Sequence, residues 1–411
     1  MDIPGLPARK AALRLHDAVL RRGETLDQAA GGALLGIRGD ADRALARALA
    51  GESLRWLTDL DELIDSATRL PLADDAKSRA VLRLMLAGWL RLETPPHAVI
   101  ATGLELLQGG PRRLAHGVFS TLVKSEARLP DAPTLPEPVL ERWGIRSEAI
   151  AKALAVPPPL DLSLRDWSET ARWAEELGGT SLMPGHVRLP RGEAVDRLAG
   201  FAEGAWWVQD LAASLPARLL GQGEGKRVLD LCAAPGGKTM QLVSAGWQVT
   251  ALDASAKRLE RMQSNLDRTG LKATLVQGDM LDWAPEAHFD AVLLDAPCTA
   301  TGTCRRHPDV LHRIGLRQIT EMAELQKRLL ARASEWVAPG GRFIYAVCSL
   351  EQAECAGQAG QVALAPDPIQ ASELPDGLVP TPDGWLRTDP AMLADAGGLD
   401  GFFVARWRRN T

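Results

Sequence analysis

Cysteine is scarce in this chain: five in 411 residues, with no C-x-x-C pair among them. So few, and in odd number, exclude a disulfide framework and point to a reducing compartment. The spacing also misses the structural-zinc patterns, so no metal is expected. No apolar run approaches the roughly 18 to 20 residues of a membrane span. The start, Met1-Asp-Ile-Pro-Gly-Leu-Pro7, lacks the basic-then-apolar layout of a signal peptide. A cytoplasmic protein without a membrane partner is expected, and a monomer. Positive charge is not in excess either. A formal charge of −5 argues against a polycationic nucleic-acid coat but leaves room for a local basic groove. Internal repeats and low-complexity tracts are absent. With 46% hydrophobic and 24% charged residues, the chain can form two or three ordinary globular domains.

Residues 1–130 carry a helical rhythm. Leu45, Leu49 and Trp56 share one helix face, as do Val81, Met85 and Trp89, which predicts an all-α bundle of six or so short helices. Asp74 or Asp75 is expected to cap the helix containing Val81, with Pro95-Pro96 closing it. Arginine outnumbers lysine heavily here, which suits a solvated face or an RNA-facing patch. Leu129-Pro-Asp-Ala-Pro-Thr-Leu-Pro-Glu-Pro138 reads as a linker. Residues 131–225 are expected to be this linker and a mixed α/β subdomain packed on the following domain.

From residue 226 to 411 short β-like runs alternate with helical stretches. Strands are expected at Arg227–Leu231, Gln248–Leu252, Thr274–Gln277, Ala291–Leu294, Arg342–Val347 and Phe402–Arg406. The alternation predicts an α/β fold, a doubly wound sheet covered by helices on both faces.

In such a sheet, ligands bind beyond the carboxyl ends of the strands. After the first strand comes Ala233-Ala234-Pro235-Gly236-Gly237, a tight turn that lets the backbone approach a ligand. Asp253 ends the second strand, where an acidic residue accepts hydrogen bonds from ribose hydroxyls; Asp279 and Asp295 follow the third and fourth. Neither G-x-G-x-x-G nor G-x-x-x-x-G-K-[ST] is present. S-adenosylmethionine carries no phosphate and needs no phosphate-binding loop, so it is the expected cofactor.

Two thiols stand in related settings, Asp295-Ala-Pro-Cys298 and Tyr345-Ala-Val-Cys348-Ser349, each just past a strand. Either alone reads as a small buried hydrophobe. Together they suggest methyl transfer to carbon 5 of a pyrimidine, which has no lone pair. A thiolate adding to carbon 6 makes carbon 5 nucleophilic; a base must then remove the carbon 5 proton before the enzyme sulfur leaves. Lys238 could lower a thiol pKa, and Asp295 could bind the exocyclic amine and ring nitrogen of cytosine. Arg305-Arg306-His307-Pro308-Asp309 could grip phosphates or be a plain charged loop. Cys232 and Cys355 read as non-catalytic, with Cys232 able to touch cofactor through its backbone.

These stretches, with Asp230-Leu-Cys-Ala-Ala-Pro-Gly-Gly-Lys-Thr239, Trp206-Trp-Val-Gln-Asp210 and Asp400-Gly-Phe-Phe-Val-Ala405, resemble the RNA cytosine-carbon-5 methyltransferases of the NOL1/NOP2/Sun family. The resemblance runs from about residue 200 to 408, while the amino-terminal helices resemble a NusB-like RNA-binding bundle in arrangement. It implies a Rossmann-like, mostly parallel seven-stranded sheet, with Cys348 as nucleophile and Cys298 as the thiol that helps release product. It also implies that Cys232 to Lys238, Asp253, Asp279 and Asp295 surround the cofactor and target base. The chain departs from the family at Val347 (threonine there), Cys355 (asparagine there) and Leu160-Asp-Leu-Ser163, where Leu-Arg-Val-Asn is common in an element expected to face RNA. The segment between Cys355 and Phe402 is also short for the family. The expected function is 5-methylcytosine formation in RNA, with ribosomal RNA favoured; the rivals are the same chemistry on transfer RNA and a silent RNA-binding assembly factor.

Overall fold

The computed structural model describes residues 3–192 and 194–411. It separates into two compact units, Met1–Val156 with Cys304–Ile314, and Pro157–Thr303 with Gly315–Thr411.

The first unit is all helical. Seven α-helices lie between Leu6 and Lys124 among the described residues, and Glu137–Trp143 and Ser147–Leu154 follow. Leu49, Trp56, Val81 and Met85 are buried as their spacing predicts, while Leu45 and Trp89 are half-buried. Asp74 and Asp75 do not cap. The helix Lys77–Leu90 begins after Ala76 with no side-chain cap, and Pro96 opens the next helix, where its missing N–H costs nothing. The division at residue 130 gives way to one at Val156 for a visible reason. Asp59 accepts from Thr134 N at 3.0 Å and Thr134 Oγ1 at 2.7 Å, so the proline-rich stretch is pinned to the bundle. Arg55 and Arg91 then donate to the Leu154 and Ala155 carbonyls at 3.3 and 2.9 Å. Some of the arginines are internal, Arg9, Arg55, Arg79 and Arg83 being buried. Arg55 and Arg91 flank Glu52, each at 3.1 Å, and Arg83 meets Asp61 through two bonds of 2.8 and 2.7 Å. Planar guanidinium groups suit such buried pairs.

The second unit holds two sheets. β1 (Leu160–Leu164), β2 (His186–Leu189) and β3 (Trp206–Val208) form a small antiparallel sheet in the order β2-β1-β3. The larger sheet comprises β4 (Arg227–Leu231), β5 (Gln248–Asp253), β6 (Thr274–Gln277), β7 (Phe289–Asp295), β8 (Val337–Val347), β9 (Ala365–Pro366), β10 (Leu386–Arg387) and β11 (Phe403–Arg408). Its order is β10-β11-β8-β7-β4-β5-β6, with β9 paired to β11. It therefore has eight strands rather than seven, the difference being the two-residue β9 on the β11 edge. The five strands β6 to β8 run parallel and β11 antiparallel.

Alternation along the strands fills both faces, as a buried parallel sheet requires. Val228, Ala251, Leu293 and Ile344 pack with Met240, Leu259 and Met262 from the helices on one side. Leu229, Leu252, Val292 and Phe343 pack with Leu329, Leu330 and Ala333 of Leu316–Glu335 on the other. Strand order reverses between β4 and β7, which puts the ligand crevice at their carboxyl ends.

Candidate active site

The turn after β4 begins with a residue held in the left-handed region, Cys232 at φ 58°, and Gly236 follows at φ 101°. Only glycine suits the second position, since a Cβ there would also lie 2.8 Å from Met262 Cγ. The helix Gly237–Ser244 starts immediately after it. Asp253, at the end of β5, is buried and accepts from Ala234 N at 3.1 Å and Ser255 N at 2.9 Å. Arg258 pairs with it at 3.2 Å and also donates to the Ala234 carbonyl. Asp253 thus braces the turn, with carboxylate lone pairs left for further donors. Burial, then the charges of Asp295 and Asp253, pushes the Cys232 thiol up to about 12, which keeps it protonated and unreactive.

Asp295, at the end of β7, accepts from Lys238 Nζ at 2.7 Å. The ammonium also lies 5.3 Å from the Phe402 ring centroid. Burial pulls Lys238 down, but the charge and hydrogen bond of Asp295, with Cys348 adding, hold it above the ordinary lysine value. Asp279 is exposed past β6, and its Oδ1 accepts from Leu281 N at 2.9 Å as a local turn cap.

The two thiols meet: Cys298 Sγ lies 3.4 Å from Cys348 Sγ, and both residues are half-buried. β7 and β8 are parallel neighbours with Asp295 beside Ala346, so their following loops leave the same edge side by side. The hydrogen bond to Cys348 and then burial raise Cys298 well above the usual thiol value. The loops are stitched directly. Gly302 N donates to the Cys348 carbonyl at 3.0 Å and Leu350 N to Thr301 Oγ1 at 3.0 Å. A Cβ on Gly302 would sit 1.9 Å from the Gly401 carbonyl oxygen, so this close backbone crossing needs glycine.

One participant was not legible. Glu354, fully buried, accepts from Thr299 and Ser349, the residues following the two cysteines. Its only signal in the chain is an acidic residue six places past Cys348, and Glu351 three places earlier gives the same signal. The departures from the family pattern turn out to be internal. Val347 and Cys355 are fully buried, with the Cys355 Sγ donating to the Ser349 carbonyl at 3.4 Å. Asp161 and Ser163 are buried on β1, not solvent-facing, which overturns the expectation of an RNA-facing element at these two positions. Asp161 receives Arg188 through bonds of 2.7 and 2.8 Å and Leu211 N at 3.0 Å. Arg305 and Asp309 are also buried, in the segment that folds with the helical unit, and the Arg305 carbonyl accepts from Arg55 at 2.8 Å. Arg306 and His307, between them, are half-buried.

The donor set suits S-adenosylmethionine. Asp253 and Asp295 end parallel strands, Asp279 lies just past the one between them in sequence, and the cation of the turn, Lys238, is already neutralised by Asp295. Such a site receives hydroxyl and ammonium donors on a cationic ligand better than a phosphate. Among the described residues no three His, Cys, Asp or Glu side chains are grouped to hold a metal ion, and no helix is long and apolar enough to cross a membrane.

Known proteins resemble this chain over most of its length. Residues 217–408 match the model of the 16S rRNA methyltransferase RsmB/F family, and residues 6–110 match the NusB family. The chain is 33% identical over 398 residues to the ribosomal RNA small subunit methyltransferase B of Salmonella arizonae, covering 89% of this chain and 90% of that protein. It is 34% identical over 405 residues to the same-named protein of Klebsiella pneumoniae, covering 90% and 91%. Its fold is like that of the crystal structure of PH0851, with TM-score 0.73 at 22% identity over 99% of both chains. It is also like that of NSun6 from Pyrococcus horikoshii with SFG, with TM-score 0.58 at 19% identity over 67% of this chain and 98% of that one. The chain belongs to the RsmB/F family of S-adenosylmethionine-dependent RNA cytosine-carbon-5 methyltransferases, with a NusB-family region at its amino-terminal end.

Proposed function

We propose that this protein forms 5-methylcytosine in 16S ribosomal RNA through a covalent bond between Cys348 and carbon 6 of the target cytosine. The observation that carries the reading is the 3.4 Å approach of Cys298 and Cys348 beside the Lys238–Asp295 pair. The turn from Cys232 to Lys238, with Asp253, Asp279 and Asp295, holds S-adenosylmethionine. When bound, the cofactor supplies an electrophilic methyl group.

Cys348 attacks carbon 6 as the thiolate, and the new carbon–sulfur bond shifts the ring electrons so that carbon 5 becomes the nucleophile. Asp295 orients the base at its amine edge, and Lys238 fixes Asp295 while offsetting negative charge near Cys348. Once carbon 5 is methylated, a base drawn from solvent takes its proton, the electrons of that bond close the carbon 5–carbon 6 double bond, and the carbon 6–sulfur pair leaves with Cys348 as thiolate. Cys298, hydrogen-bonded to Cys348, assists this release. The ring must be reached from its face, so the cytosine is presented unstacked.

The test is incubation with methyl-labelled cofactor and ribosomal RNA from a strain lacking the gene, read by bisulfite sequencing. The wild type is expected to mark one or more cytosines, while Cys348→Ala marks none yet binds cofactor near normally. Full turnover by Cys348→Ala refutes the assignment.

A further inference from the structure

Glu354 carries a carboxyl group at 0% exposure, and among the described residues no cation pairs with it. An uncompensated buried carboxylate is costly, so the donors around it are informative. One oxygen accepts from Thr299 N at 2.9 Å and Gln326 Nε2 at 3.0 Å. The other accepts from Thr299 Oγ1 and from Ser349 Oγ, each at 2.5 Å. Thr299 follows Cys298, and Ser349 follows Cys348. Gln326 also donates to the Pro297 carbonyl at 2.8 Å, so the Cys298 loop is held on both sides of its sulfur. Glu354 is itself anchored, because its own carbonyl accepts from Tyr345 Oη at 2.7 Å.

We infer that Glu354 is a positioning residue of the thiol pair, a carboxylate that clamps the two cysteine loops next to their sulfurs and, with the Gly302–Cys348 and Leu350–Thr301 hydrogen bonds, sets the distance between them. It touches neither sulfur and acts through Thr299 and Ser349. The loops leave different strands, and no covalent link fixes their spacing; addition to a ring carbon needs that spacing held closely. The charge of Glu354 adds a second effect in the same direction, helping to keep the Cys298 thiol protonated. The inference deepens the proposed function and rests on that reading for its catalytic consequence, though not for the geometry.

The geometry can be tested without RNA. Dibromobimane becomes fluorescent when it bridges two neighbouring thiols, and peptide mapping assigns the bridge. Wild type is expected to bridge Cys298 to Cys348 rapidly. Glu354→Ala is expected to bridge them on the order of tenfold more slowly, and to lower kcat about a hundredfold with little change in KM for cofactor or RNA. Glu354→Gln fills the same space, with its carbonyl still accepting from Thr299 N and its amide donating to the hydroxyls, so it should restore bridging to near the wild-type rate. If Glu354→Ala does not fold, the Thr299→Val/Ser349→Ala pair loosens the same clamp from the other side, and slowed bridging is again expected. A folded Glu354→Ala or double variant that bridges and methylates like wild type overturns the inference. Slowed bridging in a protein whose wild type makes no 5-methylcytosine would sink the functional reading and leave the clamp standing.

Discussion

Lys238 and Asp295 meet at 2.7 Å across the boundary between β4 and β7, where the strand order of the large sheet reverses. The pair joins the turn after β4 to the loop carrying Cys298. Crevices of this kind are where open α/β sheets place ligands; here the crevice also carries its own internal charge pair.

Removing either partner should therefore cost more than removing both. Asp295→Asn alone leaves a buried ammonium uncompensated and Lys238→Met alone strands the carboxylate, whereas the two together remove both charges. A double-mutant cycle in urea is expected to give a coupling of about 1 to 3 kcal/mol, at the lower end because Asp295 is partly exposed. A coupling indistinguishable from zero would mean the pair holds nothing together.

The Asp161–Arg188 pair belongs to the small sheet and not to any RNA contact. Both side chains are at most 5% exposed, and they are register partners on β1 and β2. Asp161→Ala strands the guanidinium and removes the acceptor for Leu211 N, so a loss of about 3 to 5 kcal/mol is expected. Chemical denaturation measures it. Arg188 holds the Asp161 carboxyl well below the usual range, although burial alone would raise it. Its stabilisation is present above the unfolded value of 3.8 and is lost as the pH falls through the depressed folded value.

Asp230 works in the opposite sense. Burial raises its carboxyl from 3.8 to about 7, Thr239 donates to one oxygen, and the other has no partner. An acid whose folded value lies above its unfolded value binds more protons when folded between the two. Its contribution is fully favourable below pH 3.8 and declines as the pH rises toward 7. Asp230→Asn removes that decline. Its melting temperature should exceed the wild type's at pH 8, and the two should converge near pH 4. A variant that is less stable at pH 8 than at pH 4, relative to wild type, would contradict the assignment.

The large sheet was legible because its strands are buried on both faces and bounded by turns. β4 and β6 fall at their expected residues, and β7 and β8 run longer than expected because flanking residues join the ladder. The small sheet was not. β1 alternates as Leu-Asp-Leu-Ser-Leu, a pattern that would turn Asp161 and Ser163 to solvent, yet both are buried; the partners that satisfy Asp161 lie 27 and 50 residues away. The helical unit exceeded its expected boundary for a similar reason, since Asp59 reaches Thr134 across 75 residues. Both thiols and the strand-end aspartates could be named from position alone, and the structure brings the two thiols to 3.4 Å. Glu354 was not, because its meaning lies in two hydroxyls brought to it from separate loops.

The central claim is a carbon–sulfur bond at Cys348, and the most direct measurement is to trap it. Cys298→Ala is incubated with ribosomal RNA and S-adenosylmethionine, run on a denaturing gel, and digested for mass spectrometry. A slow protein–RNA band that maps to the peptide bearing Cys348, and that vanishes in Cys298→Ala/Cys348→Ala, is the predicted result. Free turnover by Cys298→Ala with no adduct, or an adduct at another cysteine, would contradict the account.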